Sequence, residues 1–210
     1  MNLYVGTSGY SYKEWRGSFY PKKFPQDQML GYYAEQFHTV EINSTFKGTP
    51  TASVVNGWAG DVPASFRFGI KAPQLITHRK RLKDTADLVS ELFEVVGALK
   101  SRLGPVLFQL PPNFKKDAPR LREFLTRLPA RRRIAFEFRH PSWFDEEVFG
   151  LLRKRRTALC IADAGDDLEV PLVATTNWGY LRLRRPAYGE AALKTWIKRM
   201  RAQDWREAYV

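Results

Sequence analysis

The chain has 210 residues, 44% of them hydrophobic, and 34 Lys and Arg against 22 Asp and Glu give a formal net charge of +12. That length supports one sizeable core, read as a single domain over residues 1–210, and no apolar run approaches the ~18 residues that span a bilayer. The start, MNLYVGTSGY, lacks the basic and long apolar regions of a signal peptide, and a single cysteine excludes an internal disulfide, so a cytoplasmic monomer without a membrane partner is expected.

Short apolar runs alternate with longer helical patterns. The predicted strands are LYVG (3–6), TVEIN (39–43), FRFGIK (66–71), PVLFQL (105–110), RIAFEF (133–138), ALCIAD (158–163) and GYLRLR (179–184). Helices are predicted over 26–37, 84–102, 117–128, 145–156 and 189–203. Asp84, Asp117 and Asp145 supply helix-start signals. Residues 145–156 also carry acids in the first turn and bases in the last, matching the helix dipole. Cys160 sits inside ALCIAD and reads as core. The last residues, EAYV, read as the opening of an eighth strand. The pattern is α/β, and the expectation is a TIM-like (β/α) barrel, truncated within strand eight.

In such a barrel alternate strand residues face the lumen and the helix ring. Val40 and Ile42 share one face; Glu41 and Asn43 share the other. By the same parity Lys71, Gln109, Glu137, Arg139 and Arg182 oppose continuous apolar rows. These polar residues gather toward the carboxyl ends of their strands, where barrel active sites lie. A stability network of Glu with Lys or Arg would also account for any one of them; convergence from five strands favours a site.

The loops add aromatics. TSGYSYKEWRGSFYP (7–21) offers Tyr10 and Trp15 as lining for a small-molecule or base-stacking pocket, and HPSW adds His140 and Trp143. Lid packing is the plain alternative for both tryptophans, and capping for His140.

GTSGYSYKEWRGSFYP, VEINSTF, FGIKAP, FQLPPNF, FEFRHPSW and YLRL resemble, in order, the successive signatures of the YecE-like family, domain of unknown function 72 (DUF72). The resemblance implies a TIM-like barrel and fixes no activity. Arg184 and Arg185 stand where the family pattern carries a His-Gly pair. The pattern also continues through an eighth strand and a final helix.

The leading expectation is an enzyme of hydrolase or lyase type acting on an anionic, phosphate-containing substrate. Glu41 and Glu137 are the candidate acid and base, their roles separated by burial and neighbouring cations. His140 is the candidate proton shuttle. Lys71, Arg139 and Arg182 would bind the anion, with Arg able to do so bidentately. Asn43 and Gln109 would orient the substrate, and Tyr10, Trp15, Trp143 and Asp163 would line it. Glu41, Glu137, Asp163 and His140 are metal-ligand types, but no tight ligand pair occurs and the interspersed cations oppose a metal. No metal site and no cofactor is assigned. The rival classes are a non-catalytic barrel binding nucleic acid or a metabolite, supported by the net charge, and a glycoside hydrolase-like enzyme using the two carboxylates.

Overall fold

The computed structural model describes residues 1–165 and 168–210. Eight strands alternate with helices in the order β1 (Asn2–Tyr4), α1 (Met29–Gln36), β2 (Thr39–Ile42), α2 (Ala52–Gly60), β3 (Arg67–Lys71), α3 (Ala86–Val96), β4 (Leu103–Gln109), α4 (Ala118–Arg127), β5 (Ile134–Glu137), α5 (Glu146–Lys154), β6 (Ala158–Asp163), β7 (Trp178–Leu183), α6 (Glu190–Arg201) and β8 (Glu207–Tyr209). All neighbouring strands are parallel, and the sheet runs β1-β8-β7-β6-β5-β4-β3-β2. This is a nearly closed TIM-like α/β barrel. The expected eighth strand forms and pairs with both β1 and β7.

One seam remains, between β1 and β2. No ladder joins these strands; the segment after β1 makes the contact instead. Glu41 N–H donates to the Thr7 carbonyl at 3.0 Å, and Gly9 N–H donates to the Glu41 carbonyl at 2.8 Å. Gly6 lets the backbones come this close, since a Cβ there would sit 2.0 Å from the Thr39 carbonyl oxygen.

Two of the three expected start signals act as caps; Asp84 does not, because α3 begins at Ala86 with Thr85 at its N-cap and no side-chain cap bond. Asp117 accepts from Arg120 N–H and Asp145 from Val148 N–H, each at 3.0 Å, which satisfies donors the helix leaves free. Residues 52–60 form a helix the sequence reading leaves out. ASVVNGWAG is poor in helix formers, so local propensity gives little signal. Tertiary packing holds it: Val55 is buried and Trp58 stacks on Phe68.

Strand parity sorts the interior in two. Val40, Ile42, Phe68, Ile70, Val106, Phe108, Phe136, Phe138, Leu159, Ile161 and Leu181 join the helices in one apolar layer. Leu107, Ala135, Ala158, Cys160, Trp178, Tyr180 and Tyr209 form a separate cluster inside the barrel. Among the described residues no helix is long and apolar enough to cross a membrane.

Candidate functional site

The inward row continues upward from that cluster into charge. Glu41 on β2, Glu137 on β5 and Arg182 on β7 are each at most 8% exposed. Arg182 is the centre. Its Nη2 donates to Glu41 Oε1 at 2.8 Å, and its Nη1 donates to Glu137 Oε2 at 2.6 Å. Glu41 also accepts from the Ser8 hydroxyl at 2.9 Å and the Tyr180 hydroxyl at 2.7 Å. Gly69 makes the Tyr180 contact feasible: a Cβ there would stand 3.2 Å from the phenol oxygen. Arg139 Nε donates to Glu137 Oε1 at 2.8 Å, and Arg184 lies 3.8 Å from the same oxygen.

The electrostatics follow from this geometry. Burial would raise the Glu137 pKa, but Arg182 and Arg139 outweigh it and hold the carboxyl below its ordinary range. Burial would lower the Arg182 pKa, and Glu41 with Glu137 reverses that, so the guanidinium stays charged. Burial pushes the Tyr180 phenol up, reinforced by the Glu41 charge. A buried ion network of this kind breaks even at best against a well-packed apolar filling, so stability alone gives it little reason to exist.

Above the network opens a cavity of about 510 Å³ lined by Ser8, Asn43, Phe46, Lys71, His78, Gln109, Arg139, Arg182 and Arg184. A second space of about 250 Å³ reaches from Glu41 and Tyr180 toward the seam. Lys71, Arg139, Arg182 and Arg184 line the first, with Glu41 and Glu137 paired to its arginines: among the described residues, four cations against two carboxylates, an excess of two positive charges. Among the described residues Lys71 has no carboxylate within ion-pair distance; its ammonium lies 4.2 Å from the Phe46 ring centre. Among the described residues no protein donor reaches the amide oxygens of Gln109 and Asn43.

Five of the residues singled out by parity therefore meet here: Glu41, Lys71, Gln109, Glu137 and Arg182, with Asn43 and Arg139 at the ends of β2 and β5. The others go elsewhere. Trp143 is fully buried, stacks on Phe138 with centroids 4.8 Å apart, and donates from its indole to the Phe114 carbonyl at 2.6 Å. Tyr10 packs near Tyr33, and Trp15 against Tyr12, Phe19 and Tyr20, in an aromatic apron outside the lumen. His140 caps a short turn, its Nδ1 accepting from Ser142 N–H at 3.2 Å. Asp163 accepts from Arg185 at 2.7 Å and from the Tyr188 hydroxyl at 3.1 Å. It shares parity with Leu159 and Ile161, which face the helices. Among the described residues no three His, Cys, Asp or Glu side chains come together as a metal site.

Sequence reasoning missed His78. It lies in a single π turn, Leu75–Arg79, closed by Lys80 N–H donating to the Leu75 carbonyl at 2.9 Å. Such turns occur often at functional sites. The Thr77 hydroxyl holds its Nδ1 at 2.9 Å, and Phe46 packs edge-on to the ring. Burial lowers its pKa, and Lys71 and Arg139 lower it further, so the ring is neutral near neutral pH. The only sequence cue was its place after FGIKAP, at the end of β3.

Comparison with known proteins is consistent with this architecture. The family described as "Protein of unknown function DUF72" matches residues 4–210. The UPF0759 protein YecE of Escherichia coli is 36% identical over 113 residues, 53% of this chain and 42% of that protein. The UPF0759 protein YunF of Bacillus subtilis is 29% identical over 155 residues, covering 70% of this chain and 54% of that one. The chain thus spans about half the length of the curated relatives it matches. Among solved structures, a DUF72 family protein from Thermotoga maritima superposes with a TM-score of 0.88 at 28% identity, over 100% of this chain and 91% of that one. One from Enterococcus faecalis shares the fold with a TM-score of 0.78 at 18% identity, over 100% of this chain and 89% of that one. By the length of the family match and the order of its motifs, this chain belongs to the DUF72 family.

Proposed function

We propose that the barrel mouth is an active site for a small anionic substrate bearing a phosphate or carboxylate. The observation that carries this reading is the excess of two positive charges, among the described residues, around a cavity that also presents the amide oxygens of Gln109 and Asn43. Arg139, Arg184 and Lys71 would take the anion, as guanidinium and ammonium groups do. Gln109 and Asn43 would accept hydrogen bonds from substrate hydroxyl or amide groups.

Glu41 and Glu137 enter this reading chiefly as the clamp on Arg182. Glu137, held ionised by its arginines, suits a base and not an acid at neutral pH. Glycoside cleavage fits poorly, because it needs open space between two carboxyl groups, and here the Arg182 guanidinium fills it. Nucleic-acid binding keeps the net charge of +12 in its favour.

Titration calorimetry with inorganic phosphate and with glycerol phosphate tests the proposal. Binding is expected to weaken about tenfold or more in Arg139→Gln and in Arg184→Gln, the loss of one charge-assisted contact. No binding of either anion, or binding unchanged by both substitutions, would overturn it. Tight, steeply salt-dependent binding of a single-stranded oligonucleotide that ignores both substitutions would favour the rival.

A further inference from the structure

We infer that Lys71 is a nucleophile whose Nζ forms an imine with the carbonyl carbon of an anionic aldehyde or ketone seated in the barrel mouth. The inference takes its substrate class from the anion-binding reading above, while the covalent step stands on Lys71 itself. Lys71 is the last residue of β3, half-buried, and lines the mouth cavity. Both terminal nitrogens of Arg182 are already committed to carboxylates, and Arg139 gives its Nε to Glu137 and keeps its terminal nitrogens for the anion. Lys71 is not so committed: among the described residues no carboxylate pairs with it, and its Nζ touches only the Phe46 ring face, a contact that favours the ammonium and that a bound carbonyl would have to displace. A partly desolvated lysine beside other cations gives up its proton more readily than a free one, so the ammonium counted above exchanges with the nucleophilic amine. Burial lowers its pKa and the Arg182 charge lowers it further; Glu41 and Glu137 raise it, and the net direction is down. A plain anion site would be served as well by another arginine; a primary amine adds a chemistry arginine lacks.

The step balances without an outside oxidant or reductant. The amine lone pair attacks the carbonyl carbon and forms the C–N bond, while the π electrons move to oxygen. That oxygen takes a proton, and nitrogen loses one, giving a carbinolamine. The hydroxyl then takes a proton and leaves as water as the nitrogen lone pair forms the C=N bond, and nitrogen gives up its second proton, so amine plus carbonyl has become imine plus water. His78 is placed to carry these protons: it lines the same cavity, and among the described residues its Nε2 has no protein partner. Arg139 and Arg184 would hold the anionic end of the molecule.

The test uses the full chain and two probes, pyridoxal phosphate and its uncharged counterpart pyridoxal, at less than one equivalent, each followed by sodium borohydride. Peptide mass mapping then compares every lysine in one sample, so no variant has to fold. Lys71 is expected to label about tenfold faster or more than the other lysines with the phosphorylated probe. Inorganic phosphate should slow it, and Lys71→Arg should remove that peptide signal. Even labelling over the surface lysines overturns the inference; if phosphate still binds by calorimetry, the anion reading survives that failure. Fast labelling of Lys71 by both probes, with no protection by phosphate, supports the imine and sinks the anion reading instead.

Discussion

The lower lumen is filled by Leu107, Ala135, Ala158, Cys160, Trp178 and Tyr209; above these stand Glu41, Glu137, Arg182, Lys71 and Gln109. Both sets have the same inward parity; β4, β5 and β7 contribute to both, β6 and β8 to the lower one and β2 and β3 to the upper. The lower storey is nearly all apolar and packs like an ordinary core. The upper one spends buried positions on charges that a stable barrel does not need. The contrast separates what holds the cylinder from what the cylinder holds, and it does so along the strand direction that barrel enzymes use.

The sharpest way to break this contrast is Arg182→Met. It strands Glu41 and Glu137 without their shared cation, and a loss of about 3–5 kcal/mol is expected in urea unfolding. Adding Glu41→Leu and Glu137→Met should return most of that stability while phosphate binding, carried by Arg139, Arg184 and Lys71, is retained. If the triple variant stays as unstable as the single one, the upper storey is structural too.

Next comes Leu107→Ala. A cavity in the lower storey should cost about 2–4 kcal/mol, with phosphate affinity unchanged by calorimetry. A matching fall in affinity would show that the storeys cannot be separated.

Acid sharpens the comparison further. The Glu137 pKa is depressed in the folded state, so its contribution is present above the ordinary Glu value of about 4.3 and is lost as pH falls below that toward the folded value. Glu137→Gln should therefore flatten the decline of stability on the acid side, measured by urea melts at stepped pH. An unchanged slope would remove Glu137 from the ionised network.

The smallest effect belongs to Cys160→Val, under about 1.5 kcal/mol with no change in ligand binding. Burial pushes the Cys160 thiol well up, so in the wild type it should react with a thiol reagent only on unfolding.

Much of the upper storey was legible because strands have a period of two. Glu41, Lys71, Gln109, Glu137 and Arg182 could be assigned to the lumen by parity alone. The same rule, applied to β6, sets Asp163 with Leu159 and Ile161 and away from the lumen. Loops carry no such period. Nothing in HPSW says that Trp143 turns inward onto Phe138 while His140 caps a turn. His78 was hidden for a related reason: a π turn has no sequence pattern of its own. Helix α2 was hidden because packing, and not propensity, stabilises it.

The Arg182 clamp has a further consequence for how the chain comes together. Its two carboxylates lie 141 and 45 residues upstream. On a ribosome, Glu41 and Glu137 emerge well before the guanidinium that neutralises them, and contacts this distant in sequence form late. The rim must therefore stay hydrated and open until the seventh strand is made, so nascent chains stopped before residue 182 should be cut readily by protease, and chains extended past β7 should resist.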